Sequence, residues 1–147
     1  MLTAKSESSA LPAERKQKKG CSNMKKINTQ NAPAAVGPYS QGIETEQFIF
    51  LAGQIPLDPK TGLLVDGGVD TQTKQVIENI KAVLAAAGSG LQKVVSTNVY
   101  LTDMNDFAKM NEVYKNYFTE PYPARTTIAV RELPKSAKVE IAVIAVK

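Results

Sequence analysis

The chain has 147 residues, of which 43% are hydrophobic and 22% are charged, a balance that is ordinary for one globular domain. It contains no histidine, and its single cysteine, Cys21, lies in a polar N-terminal stretch. These absences exclude Ser-His and Cys-His catalysis, histidine-ligated metals, cysteine clusters for zinc and an intrachain disulfide. No apolar run approaches the roughly 20 residues of a membrane-spanning helix, and the N-terminus lacks the apolar centre of a secretory signal, so we expect a cytoplasmic protein.

Residues 1–23 are polar and without apolar periodicity, and we expect them to be a disordered tail preceding a single folded domain at residues 24–147. The tail is interpreted as a vector-derived or upstream-start extension, a natural tail, or an organellar targeting segment, although its two glutamates weigh against targeting. It carries +3 of the net charge of +4, so the domain has little electrostatic basis for binding nucleic acid.

Two strands are predicted before the first helix. Residues 25–28 form a short edge strand, and a loop with two prolines and a glycine then leads to Tyr39. Residues 47–52 (QFIFLA) are typical of a buried strand. The segment GQIP at residues 53–56 ends it, because glycine permits close backbone approach and proline interrupts strand pairing.

The first predicted helix begins at Asp70 or Thr71 as its cap and ends at Gly88. Its apolar residues recur at helical spacing and form one packing face: Val76, Ile77, Ile80, Val83, Leu84 and Ala87.

A third strand is predicted at residues 93–101, with one side made by Val95, Thr97, Val99 and Leu101. Thr102 or Asp103 then caps a second helix, and Asn111 lies at the margin of its apolar stripe. That stripe consists of Phe107, Met110, Val113 or Tyr114, and Tyr117 or Phe118.

The last stretch, residues 121–147, is typical of a strand, a turn at Pro134 and a second strand, in a hairpin-like arrangement. Strand alternation puts Arg125, Thr127 and Ala129 on one face of the first strand. The second strand is apolar at every position from 139 to 146 except Glu140. Burying a lone carboxylate costs several kcal/mol, so Arg125 and Glu140 indicate either salt bridges or an active site.

The order of elements predicts an α+β fold, a mixed β-sheet with two helices packed on one face. Phe48, Phe50, Val99 and the terminal strand are expected to make the other face apolar. We therefore predict a closed homo-oligomer, in which a neighbouring subunit covers this face.

Several segments together closely resemble the RidA/YjgF family of reactive-intermediate deaminases, over the whole length from Met24 to the C-terminus. They are NAPAAVGPYSQG, FLAGQIPLDPKTG, QVIENIKAVLAAAG, YLTDMNDFAKMNEVY and PYPARTTIAVRELPKSAKVEIAVIA. The resemblance implies a fold similar to that of the homotrimeric chorismate mutase, with clefts between subunits. It also implies hydrolysis of 2-imino or enamine acids to 2-keto acids and ammonia, with neither a cofactor nor a metal.

The resemblance assigns roles to individual residues. Arg125 corresponds to the residue that grips the substrate carboxylate, as the two parallel hydrogen bonds of a guanidinium allow, and Glu140 to the group that holds the hydrolytic water. Thr127 corresponds to a residue whose backbone carbonyl faces the substrate nitrogen. Further substrate-binding positions are Tyr39, Gly53 and Asn111.

Three positions depart from the pattern of many relatives. Thr127 replaces a cysteine, Ala52 a serine and Ala142 a glutamate, which bears on substrate preference more than on activity. Two alternative functions remain: a small-ligand-binding regulator or chaperone that uses the same cleft, and an endoribonuclease or translation inhibitor. The absence of histidine and the low charge of the domain argue against the latter.

Overall fold

The structure, a computed structural model, describes residues 23–147. Residues 1–22 of the predicted tail lie outside the described residues. It contains helices α1 (Val69–Ala86) and α2 (Phe107–Tyr117) and one six-stranded sheet. The strands are β1 (Lys25–Ile27), β2 (Gly42–Glu44), β3 (Phe48–Leu51), β4 (Val94–Leu101), β5 (Ala124–Ala129) and β6 (Val139–Val146).

The sheet has the strand order β1-β2-β3-β6-β4-β5. Its β4–β5 pair is parallel and the other pairs are antiparallel, so the predicted mixed sheet is confirmed. In β6, Val139, Ile141, Val143 and Ala145 are buried in one core with the apolar faces of α1 and α2. Both helices therefore lie on one face of the sheet, as the α+β prediction requires.

The hairpin-like arrangement predicted for the last stretch is wrong. Strand β5 pairs only with β4, in parallel, whereas β6 lies between β3 and β4. The reason is the β4-α2-β5 connection, since a helical crossover between strands favours parallel pairing. Residues 130–138, which include the 3₁₀ turn Pro134–Ser136, connect β5 to β6 on the other side of β4.

A β-bulge between Val94 and Ser96 corrects the predicted faces of β4. The extra residue leaves Val95 42% exposed, while Val94 joins Thr97 and Leu101 on the buried side. Val99 is fully buried on the helix side, so its predicted place on the open face is wrong. Strand β2 was not predicted, because its three residues carry no alternating apolar pattern.

Helix α1 begins earlier than predicted: its cap is Gly68, two residues before Asp70, and this cap has no side-chain hydrogen bond. Asp70 lies in the first turn, where its charge complements the helix dipole. Gly88 ends the helix with a φ of +71°, as predicted. Asp103 caps the 3₁₀ turn Met104–Asp106 by accepting a 2.9 Å hydrogen bond from Asn105 N, and α2 follows directly.

The face of the sheet opposite the helices is open to solvent and presents several apolar side chains. Phe48 and Phe50 are 38% and 42% exposed, and Ile128 and Val146 are 46% and 36% exposed. No helix within residues 23–147 is long and apolar enough to cross a membrane. The predicted cover by a neighbouring subunit stays a prediction.

Candidate active site

Arg125 lies on the helix face of the edge strand β5, where Thr97 of β4 is its neighbour in the pairing register. Its Nη1 donates a 2.7 Å hydrogen bond to Oδ1 of Asn111 on α2. The side chain is exposed, and it forms no ion pair within the described residues. The guanidinium is therefore held by the protein while its charge remains uncompensated.

Two aromatic rings of α2 lie beneath this guanidinium. The Arg125 Cζ is 4.7 Å from the ring centroid of Tyr114 and 5.6 Å from that of Phe107. The Tyr114 hydroxyl is 2.9 Å from the buried Thr97 Oγ1. Burial raises the pKa of the Tyr114 hydroxyl, against the opposing effects of the Thr97 hydrogen bond and the Arg125 charge.

Thr127 lies two residues beyond Arg125 on the same face of β5, opposite Val99 of β4. Its Oγ1 is buried and has no hydrogen-bond partner among the described residues. An unpartnered buried hydroxyl costs about 1–3 kcal/mol. The structure thus brings Arg125, Asn111 and Thr127 together at one edge of the sheet.

Glu140 lies on β6, and its side chain alternates away from the buried Val139 and Ile141 to the face opposite the helices. It has no ion pair or side-chain hydrogen bond within residues 23–147. Burial raises the pKa of its carboxyl group above the ordinary value of 4.5. Such a carboxyl group is poised to exchange protons closer to neutral pH than an ordinary glutamate.

Gly53 provides the space in which the Glu140 carboxyl group lies. A Cβ at position 53 would be 2.9 Å from Cδ and 3.2 Å from Cγ of Glu140, and closer still to Oε1. Reciprocal backbone hydrogen bonds of 2.9 and 3.1 Å between Gln54 and Ile141 hold the two segments side by side. The glycine is required here because a side chain would displace the carboxylate.

Tyr39 and Gly53 both line a pocket of about 410 Å³. Buried Gln41 fixes the loop that carries Tyr39, since its side-chain amide donates to the carbonyl groups of Thr29, Ala32 and Pro33. The pocket wall is mainly apolar, and Lys135 also lines it.

The predicted site residues thus form two groups on opposite faces of the sheet. Pairing puts Arg125 beside Thr97 on the helix side, whereas Glu140 is paired with Tyr100 and faces away from the helices. The first group is Arg125, Asn111 and Thr127, and the second is Glu140 and Gly53, while Tyr39 lines the pocket that Gly53 also lines. Within one chain the sheet separates the two groups.

Sequence reasoning assigned Phe107, and either Val113 or Tyr114, to the apolar stripe of α2, and it missed the contact of Phe107 and Tyr114 with Arg125. The spacing carried the necessary signal, because Phe107, Asn111 and Tyr114 are four and three residues apart and lie on one helix face. Among residues 23–147 no three His, Cys, Asp or Glu side chains are grouped as metal ligands.

The chain is similar to known proteins both in sequence and in fold. A family model described as endoribonuclease L-PSP matches residues 29–147. A RutC family protein of Pyrococcus horikoshii is 58% identical over 121 residues, covering 82% of this chain and 96% of that protein. A protein of Mus musculus named 2-iminobutanoate/2-iminopropanoate deaminase is 48% identical over 123 residues, covering 84% of this chain and 91% of the mouse protein.

Among solved structures, E. coli TdcF with bound serine superposes with a TM-score of 0.80 at 44% identity, and the match covers 84% of this chain and 98% of that one. The fold is therefore the α+β sandwich of the Rid proteins. The chain belongs to the RidA/YjgF family, which is also described as the endoribonuclease L-PSP family. The resemblance noted in the sequence is confirmed.

Proposed function

We propose that this protein hydrolyses reactive 2-imino or enamine acids to 2-keto acids and ammonia. The observation that carries the proposal is the Arg125 guanidinium, which is exposed, without an ion-pair partner among the described residues, and fixed by Asn111 and two aromatic rings. A planar guanidinium offers two parallel hydrogen bonds to a carboxylate, and every substrate of this class carries one. Family membership and the deaminase name of the mouse relative support the same reaction.

In the proposed reaction Glu140 acts as the acid and base. Its carboxylate takes a proton from a water molecule as the water oxygen bonds to the imine carbon, giving a tetrahedral carbinolamine. When the imine nitrogen is protonated, this carbinolamine is neutral, and the protonated Glu140 returns its proton to the nitrogen to make it a leaving group. The C–N bond then breaks as the hydroxyl group gives its proton to the Glu140 carboxylate and the carbonyl group forms, and that proton passes to the departing ammonia. A carboxyl group with a raised pKa suits both steps near neutral pH.

Arg125 and Glu140 lie on opposite faces of the sheet, so the proposed active site combines Arg125 of one subunit with Glu140 of the next. A head-to-tail ring brings one surface of each subunit against a different surface of its neighbour, and the family implies a ring of three. The exposed apolar face with Phe48 and Phe50 is the contact surface proposed for this ring. Each cleft would then contain one Arg125 and one Glu140.

The rival ribonuclease activity has less support from the residues. Phosphodiester cleavage commonly uses histidine as acid and base, and the chain has none. The charge of the chain is concentrated in residues 1–23, which leaves no strongly basic surface for a nucleic-acid backbone.

The test is turnover of an imine generated in situ by a threonine dehydratase or an amino-acid oxidase. Arg125→Ala is expected to lower kcat/KM by roughly 100-fold or more, because it removes charge-assisted hydrogen bonds to the carboxylate. Arg131→Ala, an exposed arginine in the loop after β5, is the matched control and should retain activity. Equal turnover by the wild type and Arg125→Ala would refute the proposal, and binding of 2-keto acids without turnover would favour a ligand-binding regulator.

A further inference from the structure

The Arg125 guanidinium is contacted by aromatic rings on its face and by a hydrogen bond at its edge. Phe107 lies one turn before Asn111 on α2 and Tyr114 one turn after it, and their ring centroids are 5.6 and 4.7 Å from the Arg125 Cζ. Asn111 accepts a hydrogen bond from Nη1 alone. A single hydrogen bond fixes one corner of a guanidinium but leaves its plane free to rotate about that contact.

Tyr114 is itself held rigidly in place. Its ring stacks on Phe118 with centroids 4.4 Å apart, and its hydroxyl is hydrogen-bonded to Thr97 Oγ1 at 2.9 Å. Thr97 is fully buried and is the β4 residue paired with Arg125 itself. The hydrogen-bonded strand pair and the side-chain contacts therefore form a closed loop from Arg125 through Tyr114 and Thr97 back to Arg125.

We propose that Tyr114, assisted by Phe107, is a positioning residue that fixes the plane of Arg125 so that its free edge meets the substrate carboxylate. The inference rests on the proposed function, in which Arg125 grips that carboxylate. An unsupported arginine loses side-chain freedom when a ligand binds, and this ordering weakens binding. The rings impose the ordering before the substrate arrives.

Preorganisation of this kind has a kinetic signature. The carboxylate is gripped equally in the ground state and the transition state, because it takes no part in the bond changes at the imine carbon. Loss of the rings should therefore raise KM and weaken product binding while kcat is nearly unchanged. General damage to the cleft would lower kcat as well.

The experiment compares Tyr114→Leu with Tyr117→Leu. Tyr117 lies one turn further along α2 and donates a 2.9 Å hydrogen bond to Glu78 Oε1, away from Arg125. Calorimetric binding of 2-oxobutanoate, the keto-acid product, and kcat and KM for its imine are measured on both variants, on Arg125→Ala and on the wild type. From the usual strength of a cation–π contact, Tyr114→Leu should weaken binding and raise KM by roughly 3- to 30-fold, while Tyr117→Leu matches the wild type in both.

Two results would overturn the inference. One is binding of 2-oxobutanoate by Tyr114→Leu as tightly as by the wild type while Arg125→Ala has lost it, and the other is a fall of kcat by the same factor as kcat/KM. If Tyr114→Leu fails to fold, Phe107→Leu decides, with a roughly twofold to fivefold loss of affinity expected and no loss contradicting the proposal. Absence of binding and turnover in the wild type would instead refute the proposed function itself.

Discussion

Gly53→Ala is expected to remove activity while leaving the fold almost unchanged. The new Cβ would be 2.9 Å from Glu140 Cδ and nearer to Oε1, whereas carbon atoms in contact lie about 3.5–4.0 Å apart, so the carboxyl group must retreat by about 1 Å. Misplacement of a reacting group by about 1 Å costs on the order of 100-fold in rate. We therefore expect kcat to fall about 100-fold.

The stability cost should be small for two reasons. The group that moves is the end of a flexible side chain at a partly exposed position, and Gly53 does not have the positive φ that disfavours alanine. We expect the free energy of unfolding to change by less than about 1 kcal/mol in urea denaturation.

Gly62→Ala is a control with the opposite expected result, a loss of stability without a loss of activity. A Cβ at Gly62 meets no atom within 4 Å, but the φ of +71° disfavours alanine. This variant should lose about 1 kcal/mol of stability and keep its turnover. Normal imine turnover by Gly53→Ala would refute the placement of Glu140 as the acid and base.

Two further predictions concern Glu140 and the open face of the sheet. Because burial raises the pKa of Glu140 above 4.5 in the folded protein, its contribution to stability is fully present below that pH and is lost as the pH rises through the raised value. Glu140→Gln should abolish turnover and yet be more stable than the wild type at pH 8, by a gain that solvent screening of the partly exposed carboxyl group reduces, with no such gain at pH 4 in urea denaturation; lower stability of the variant at pH 8 would contradict this. Phe50→Asp would place a charge on the proposed contact surface, at a cost of several kcal/mol if buried, and should give an inactive monomer by light scattering. Leu63→Asp, at a residue that is 67% exposed, should leave the assembly intact, and an unchanged assembly in Phe50→Asp would show that the open face is not the contact.

The fold class was predictable because apolar periodicity marks both helices and most strands. Alternation correctly grouped Arg125 with Thr127 and Ala129 on one face of β5, but it did not indicate on which side of the sheet that face lies. The alternation of apolar residues in β4 could not reveal the bulge after Val94, because one inserted residue reverses the faces on only part of the strand. It also could not show that β4 lies between β5 and β6, because strand order depends on long-range pairing.

For the candidate site, sequence reasoning selected residues by type and by resemblance, but contacts between distant segments appear only in three dimensions. The reason that position 53 is glycine is the Glu140 carboxyl group, 87 positions further along the chain. The support of Arg125 by Tyr114 was hidden because an aromatic residue in a helical stripe is usually interpreted as core. Tyr114 belongs to the core and touches the guanidinium as well.

The most direct test of the central claim is the imine turnover of mixed oligomers. Arg125→Ala chains, whose kcat/KM is expected to be lowered roughly 100-fold or more, and Glu140→Gln chains, which are expected to be inactive, are unfolded together in equal amounts and refolded, and turnover is measured at substrate concentrations below KM. If each active site combines Arg125 of one subunit with Glu140 of the next, about a quarter of the sites in random mixtures contain both native residues, and about a quarter of the wild-type activity should return. No recovered activity in properly assembled mixtures would contradict a site shared between subunits.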